Sequence, residues 1–213
     1  MPHIGPFAVP GTFFKGCLHV HSTNSDGRLT PHEVIDWYHH RGYHFLAVTD
    51  HRASSDARRL GQDLITLAGI ELDGVDPATG LYHLVGLGAT AFRYPQPAPM
   101  MPLQSALRLL REQGALVALA HPYWSGQRSA DLIEIEGAFA LEVYNGGCQV
   151  DDAKGFSTVH WDDVLAAGRR LWGIAVDDAH WRNGSKDAGL GWVWVKAREL
   201  TQVAILQALE AGL

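Results

Sequence analysis

Histidine, aspartate and glutamate side chains sit where short apolar runs end, or in one case begin, and His19-Val20-His21 heads the set. Alternate residues of a strand project to the same face. At ~3.3 Å of rise per residue the two backbone positions stand roughly 6.6 Å apart, so both imidazoles can converge on one ion. His19 and His21 close the run Gly16-Cys17-Leu18-His19-Val20-His21, and Asp26-Gly27 follows. Asp50-His51 ends Phe45-Leu46-Ala47-Val48-Thr49, and Glu71 ends Leu67-Ala68-Gly69-Ile70. His83 opens Leu84-Val85-Gly86-Leu87, His121 ends Leu116-Val117-Ala118-Leu119-Ala120, and Asp178 and His180 end Trp172-Gly173-Ile174-Ala175-Val176. So many hydrophilic groups at the rim of a core destabilise it unless something binds them. Any one of them alone reads as a hydrogen-bonded group at the core edge. Together they read as metal ligands, and nitrogen and oxygen donors without thiolate suit Zn, Mn or Fe.

The elements that must carry these groups alternate between apolar runs and helical patterns, which is the signature of an α/β architecture. Thr30-Pro31-His32-Glu33 reads as a helix start, with Thr30 as cap, Pro31 at the first helical position and Glu33 reaching back in a capping box. That helix turns Val34, Ile35 and Tyr38 inward and stops at Gly42. A second helix is expected over 53–60, a third on Leu103, Ala106, Leu107 and Leu110 up to Gly114, a fourth from Trp161 to Ala167, and a last one from Leu200 to Ala211. Strand-like runs near 16–21, 45–50, 66–71, 83–88, 116–121, 140–144, 172–177 and 191–196 supply a small barrel, complete or incomplete. Functional residues at the C-terminal ends of strands fit barrel logic. Between Leu72 and Leu81 the turn-rich stretch leaves no room for a helix. The flanking strands should therefore pair antiparallel, which brings His83 beside Glu71. The stretch 91–102, with four prolines, reads as a surface loop.

The chain has 213 residues with ordinary apolar and charged fractions, and a single domain over 1–213 is the expectation. A net charge of −6 without runs of Lys or Arg makes a nucleic-acid surface or polybasic membrane patch unlike this chain, while leaving a small phosphorylated substrate open. No apolar stretch reaches bilayer-spanning length, no signal peptide is read at the N-terminus, and Cys17 and Cys148 are too few for a disulfide framework. A cytoplasmic enzyme is the setting these features suggest.

Leu18-His19-Val20-His21-Ser22, Ser25-Asp26-Gly27, Pro31 and Thr49-Asp50-His51 resemble the PHP family, named for polymerase and histidinol phosphatase and made up of metal-dependent phosphoesterases and their relatives. The resemblance continues through Gly69-Ile70-Glu71, His83-Leu84-Val85-Gly86, Ala120-His121-Pro122, Glu142-Val143-Tyr144-Asn145-Gly146 and Asp177-Asp178-Ala179-His180, and so covers residues 16–212. It implies a distorted seven-stranded β/α barrel with two to three divalent metal ions at its mouth. Matched position by position, one ion takes His19, His21, Glu71 and Asp178. A second shares Glu71 as a bridging carboxylate and adds His83 and His121. A third takes Asp26, His51 and His180. The substrate-defining insertion of larger members has no counterpart, so the resemblance speaks for the chemistry more than for a substrate.

Around these positions, Asp50 reads as support that orients an imidazole or backbone, with direct ligation as the alternative. Asp177 points to the opposite strand face from Asp178 and reads as structural. Cys17 reads as a small buried hydrophobe, Cys148 is loop-borne and unassigned, and His3, His32, His39, His40, His44 and His160 read as surface residues. Phosphate needs cationic donors besides metal. Arg128, Arg182 and Lys186 lie just after the His121 and His180 blocks and are candidates, each balanced by the reading of a solvated loop charge. Tyr123 and Trp124 could wall the pocket, Asn145 could be a turn residue and nothing more, and Trp192 and Trp194 read as packing on the final strand.

The expected activity is hydrolysis of a small phosphate ester by a metal-activated bridging water. Glu71 acts as the bridge, and Asp178, His51 or His180 can relay a proton, with the general acid unassigned. The same site could instead attack an amide, carbamate or lactone, and a noncatalytic metal-binding or interaction domain is the reading from another class.

Overall fold

The computed structural model describes residues 5–213 apart from 57, 61–62 and 90–99, and of 58–60 only the backbone. His3 and all but the last three residues of the 91–102 loop thus lie outside the described residues. The first half of the chain carries β1 (Thr12–Cys17), α1 (Pro31–His39), β2 (Phe45–Ala47), β3 (Arg58–Leu60), β4 (Leu64–Leu67), β5 (Gly69–Asp76) and β6 (Gly80–Leu87). The second half carries α2 (Leu103–Glu112), β7 (Leu116–Leu119), α3 (Pro122–Ser125), α4 (Ser129–Ile133) and β8 (Ala140–Asn145). It ends with α5 (Gly146–Asp152), α6 (Thr158–Ala166), β9 (Trp172–Val176), β10 (Val193–Ala197) and α7 (Gln202–Ala211).

The α/β class holds, and the strands form two five-stranded sheets. One has the order β10-β1-β2-β4-β3, parallel through β1, β2 and β4 with β10 and β3 antiparallel at its edges. The other has the order β5-β6-β7-β8-β9, antiparallel through β7 and parallel beyond it. The chain crosses from one to the other at Ala68, the single residue between β4 and β5, so the expected run 66–71 is two strands. Among the described residues no continuous ladder closes the sheets into a ring. Two isolated bridges join them, His51 with Glu71 and Val20 with Ala179, and both lie among the candidate ligands.

The inner faces share one core. Phe45 and Leu67 of the first sheet meet Val85, Ala118 and Val176 of the second, and Ile205 and Leu209 of α7 join them. Alternation along each strand sends Leu72, Leu84 and Leu119 outward beneath Leu103, Leu107 and Leu110 of α2. On the first sheet, Cys17 and Leu46 pack against Val34, Ile35 and Tyr38 of α1. Cys17 is accordingly a buried core residue.

The start of α1 follows its sequence signal. Glu33 N donates to Thr30 Oγ1 at 3.3 Å, and Thr30 N donates to Glu33 Oε2 at 2.8 Å. The helix expected over 53–60 is replaced by an irregular stretch and the backbone strand β3. Ser55 is the physical reason. Its N donates to Gly69 O at 2.9 Å, its Oγ donates to Val48 O at 2.6 Å and accepts from Gly69 N at 3.0 Å, a local alternative to helical bonding. The short α3, α4 and α5 carry no sequence period long enough to reveal them. Trp192 and Trp194 remain 40% and 54% exposed, with Lys15 Nζ 4.5 Å from the Trp192 ring centre, so they are surface aromatics and not core packing. His44 and His160 are half-buried and hydrogen-bonded, to Lys15 N at 3.0 Å and Gln127 O at 2.9 Å. No helix among the described residues is long and apolar enough to cross a membrane.

Asp177 is the structural pin that the strand alternation predicts. Its carboxylate accepts from Tyr38 Oη at 2.5 Å and from the N–H groups of Gly189, Leu190 and Gly191, each at 2.7 Å, tying α1, β9 and the approach to β10 together. Stranding buried donors costs ~1–3 kcal/mol apiece, so Asp177→Ala is expected to lower unfolding free energy by about 3 kcal/mol or more in urea titrations. A loss below about 1 kcal/mol would show that solvent replaces the pin.

Candidate metal centre

Each candidate ligand is delivered to one rim by the strand that precedes or contains it. His19 and His21 follow β1, His51 follows β2, His121 follows β7, and Asp178 and His180 follow β9. Glu71 lies inside β5, near its start, and His83 lies inside β6. In the hairpin register His83 faces Asp73, and Glu71 faces Val85. The imidazole reaches Glu71 on the diagonal, Nδ1 to Oε1 at 2.7 Å.

Four buried groups form the tightest set. His19 Nε2 and His21 Nε2 are 3.2 Å apart. Glu71 Oε2 lies 3.2 and 3.0 Å from them, and Asp178 Oδ1 lies 3.3 and 3.1 Å from them. Four donors held tetrahedrally at zinc-like bond lengths around one centre would be separated by about 3.3 Å. The buried Asp178 Oδ1 accepts no hydrogen bond of normal geometry, as expected of an oxygen reserved for a cation. The residues therefore fit a divalent metal.

Glu71 joins this set to its neighbours. Oε2 faces His19, His21 and, at 3.3 Å, His51 Nδ1. Oε1 faces His83 at 2.7 Å and His121 Nε2 at 3.3 Å. The two oxygens thus address different imidazoles, the disposition a bridging carboxylate needs. Asp26, His51, His180 and also His21 make a third group. His180 Nε2 lies 3.3 Å from Asp26 Oδ2, and the His21 and His180 rings stack at 4.1 Å. All nine expected ligand residues thus stand at one rim. Beyond the expected grouping, His51 is shared with Glu71 and His83, and Cys148 sits with His121 and Asp178.

The outer partners hold the imidazoles in place. Glu142, which sequence reading placed only in a motif string, is fully buried and lies 2.7 Å from His19 Nδ1. Its other oxygen accepts from His121 N and Asn145 Nδ2, both at 2.9 Å. Asn145 is more than a turn residue, since Nδ2 also reaches Asp178 Oδ2 at 3.1 Å and Oδ1 caps α5 through Cys148 N at 2.9 Å. The inward phase of Glu142, shared with Ala140 of the core, was the one available signal. Asp50 supports rather than ligates. It accepts from Ser22 N at 2.7 Å, Ser22 Oγ at 2.6 Å and Ser25 Oγ at 2.7 Å, and Ser25 Oγ is 3.3 Å from His21 Nδ1.

His121 and Asp178 adopt positive φ, 27° and 54°. For residues with a Cβ such conformations cost ~1–3 kcal/mol each and persist where surrounding structure enforces them.

A cavity of about 150 Å³ opens over the cluster. Asp26, Glu71, Trp124, Cys148, Asp151, Asp152 and Arg182 contribute to its lining. Arg182 pairs with Asp26, and its Nη1 is 3.8 Å from Asp151. Trp124 stands edge-on to the rings of His83 and His121, and its indole donates to Asp152 Oδ2 at 2.7 Å. The other expected substrate contacts are placed elsewhere. Arg128 closes on Asp131 at 2.7 and 2.8 Å, exposed Lys186 is not in the lining, and Tyr123 turns its ring toward His160.

Burial alone would neutralise these groups, and their mutual attraction opposes it. For Glu71, burial raises the pKa, but His19, His83 and His121 hold it well below the usual carboxylate range. Asp178 follows the same pattern through His19, His21 and His180. For His21, burial lowers the pKa, yet Asp178 and Glu71 carry it up to about 9, and His19 is also raised by Asp178, Glu71 and Glu142. Without a cation, protons on imidazole must balance the carboxylates.

No family model matches the chain. Over 98 residues it is 35% identical to a 5'-3' exoribonuclease from Haemophilus influenzae, a stretch that makes up 43% of this chain and 34% of that protein. It is 40% identical over 77 residues to a phosphoribosyl 1,2-cyclic phosphate 1,2-diphosphodiesterase from Eggerthella lenta, covering 33% and 29% of the two chains. With a 3',5'-nucleoside bisphosphate phosphatase from Chromobacterium violaceum it shares 42% identity over 78 residues, 33% and 26% of the chains. The matches thus span about a third or less of these curated relatives. In structure, the chain superposes with a TM-score of 0.68 on a two-domain protein from Bacteroides vulgatus containing a predicted PHP-like metal-dependent phosphoesterase. Identity there is 20%, with 99% of this chain and 65% of that one covered. A protein from Bifidobacterium adolescentis assigned as a metal-dependent phosphoesterase gives 0.65 at 14% identity, covering 93% and 96%. The chain has the PHP-like metal-dependent phosphoesterase fold, with clusters of His, Asp and Glu suited to metal ions.

The raised pKa of His21 carries a sign. In metal-free protein its contribution to stability is full below the unfolded value of 6.5 and is lost as pH rises through about 9. Urea midpoints of chelator-treated protein should therefore fall between about pH 7 and 9, and metal should restore them with release of protons. A midpoint independent of both pH and metal would contradict this balance.

Proposed function

We propose that this protein is a metal-dependent hydrolase of small phosphate esters, built as a single domain over 1–213. The observation that carries the reading is Glu71, whose two oxygens face separate imidazole sets inside the buried cluster. Two to three divalent ions, Zn, Mn or Fe, fit the donor chemistry. The two five-stranded sheets, with their common core and two bridges at the rim, support reading the fold as a distorted β/α barrel, with ten strands where the family resemblance implies seven. The three curated relatives, by their names, all act on phosphate esters, which favours phosphorus as the electrophile.

Bound cations would supply an activated water and neutralise charge developing on the phosphoryl group. The chain supplies the rest. Glu71 and Asp178 fix the positions of the cationic charge, and Glu142 and Ser25 orient His19 and His21. His51 and His180, half-buried at the cavity wall, are placed to pass a proton between the cluster and solvent. Arg182 is the one arginine or lysine in the described cavity lining, so it is the proposed side-chain donor to phosphate oxygen. Trp124 offers an apolar wall for the leaving group.

Glu71→Gln is expected to reduce metal content and turnover together, the latter on the order of 100-fold. Metal analysis beside kinetics on an aryl phosphate checks this, and unchanged values in both would remove the bridge. Arg182→Ala should lower kcat/KM by about 10- to 100-fold, the worth of one charged hydrogen bond, with metal content unaltered. Parallel assays on aryl phosphates and aryl carbamates test the electrophile, and turnover of the carbamates alone would reverse the assignment.

A further inference from the structure

Sulfur is present in the centre. Cys148, the third residue of α5, is 6% exposed, and its Sγ lies 3.9 Å from Asp178 Oδ2. His121 Nε2 is 3.9 Å from the same oxygen, and the donor atoms of these three residues all fall within 4.8 Å of one another. One further observation shows that the approach is built. Gly147 presses the start of α5 onto the chain at Asp177 and Asp178. Its N donates to Asp177 O at 2.7 Å, and a Cβ there would meet Asp178 O at 2.5 Å. The Asp178 oxygen shared by Cys148 and His121 is Oδ2, which also accepts from Asn145 Nδ2 at 3.1 Å, while Oδ1 belongs to the set with His19 and His21. A zinc-bound sulfur and oxygen would stand about 3.5 Å apart, a few tenths of an ångström from what is observed.

We propose that Cys148 is a metal donor, completing with His121 and Asp178 a nitrogen–oxygen–sulfur set that selects a thiophilic divalent cation such as Zn²⁺, Co²⁺ or Cd²⁺. The inference rests on the metal centre proposed above and adds a ligand outside the nine drawn from the sequence. As the metal–sulfur bond forms, the thiol proton leaves to solvent. No oxidant or reductant takes part. Thiolate donors favour soft and borderline ions over Mn²⁺ and Mg²⁺, so one ion of the cluster should differ in preference from the others.

Cobalt substitution of the full chain separates this inference from the metal centre itself. Co²⁺-loaded protein should show visible ligand-field bands together with a near-ultraviolet sulfur-to-cobalt band. Cys148→Ser should abolish the near-ultraviolet band while visible bands persist, and should weaken one class of bound cobalt by at least ~10-fold. Cys17→Ala should leave the band in place. Visible bands with no sulfur band in the unmutated protein overturn the role of Cys148 and leave the metal centre standing. A sulfur band that survives Cys148→Ser also overturns it. Absence of every cobalt band overturns both. X-ray absorption of zinc-loaded unmutated protein needs no variant. A Zn–S shell near ~2.3 Å supports the assignment, and nitrogen and oxygen neighbours alone overturn it.

Discussion

The buried carboxylate of Glu71, surrounded by five imidazoles, is the constraint on which the rim of this protein depends. Burial opposes its charge, and His19, His21, His51, His83 and His121 make the charge tolerable. Those histidines come from both sheets, so the electrostatic requirement is also a tertiary one. The bridge between His51 and Glu71 lies on the same residue. The rim contact between the two sheets and the assembly of the cluster therefore depend on the same residue. Metal binding to such a site is coupled to folding free energy.

The apolar core below provides the rigidity that positioning requires. Strand alternation turns Val85 and Val176 inward and puts Leu72, Leu84 and Leu119 under α2, and the rim residues inherit their direction from this phase. Where the phase alone does not suffice, the backbone bends. His121 and Asp178 both occupy positive φ, and each is held by Glu142 or by Asn145, whose amide links those two carboxylates. Glu142 and Asn145 thus hold His121 and Asp178 in strained conformations, an arrangement found where a site's geometry is worth more than local stability.

The cavity over the cluster is mainly acidic. Its mouth carries Asp26, Asp151 and Asp152 against the single guanidinium of Arg182. An acidic lining of this kind disfavours a long polyanion, which agrees with the small phosphate ester proposed above. The chain's net charge of −6 acts in the same direction.

His19-Val20-His21, the strand-end carboxylates and the capping box at Thr30 were legible because period, cap chemistry and ligand type are local properties. The turn-rich stretch before Gly80 likewise set the hairpin that brings His83 to Glu71. Sequence alone did not decide that the strands divide into two sheets at Ala68, because no side-chain pattern distinguishes a strand that continues from one that changes partners. It gave the residues near 53–60 to a helix, since the bonds Ser55 makes to Val48 and Gly69 exist only once β2 and β5 are in place. It left Glu142 and Cys148 without roles, because a buried carboxylate or thiol takes its function from groups distant in sequence. Among the loop cations and aromatics, only the fold showed that Arg128 closes on Asp131 while Arg182 and Trp124 face the cavity. The identity of the clustered residues was thus written in the chain, whereas their grouping, support and access followed from packing, which alone sets distances between residues far apart along it.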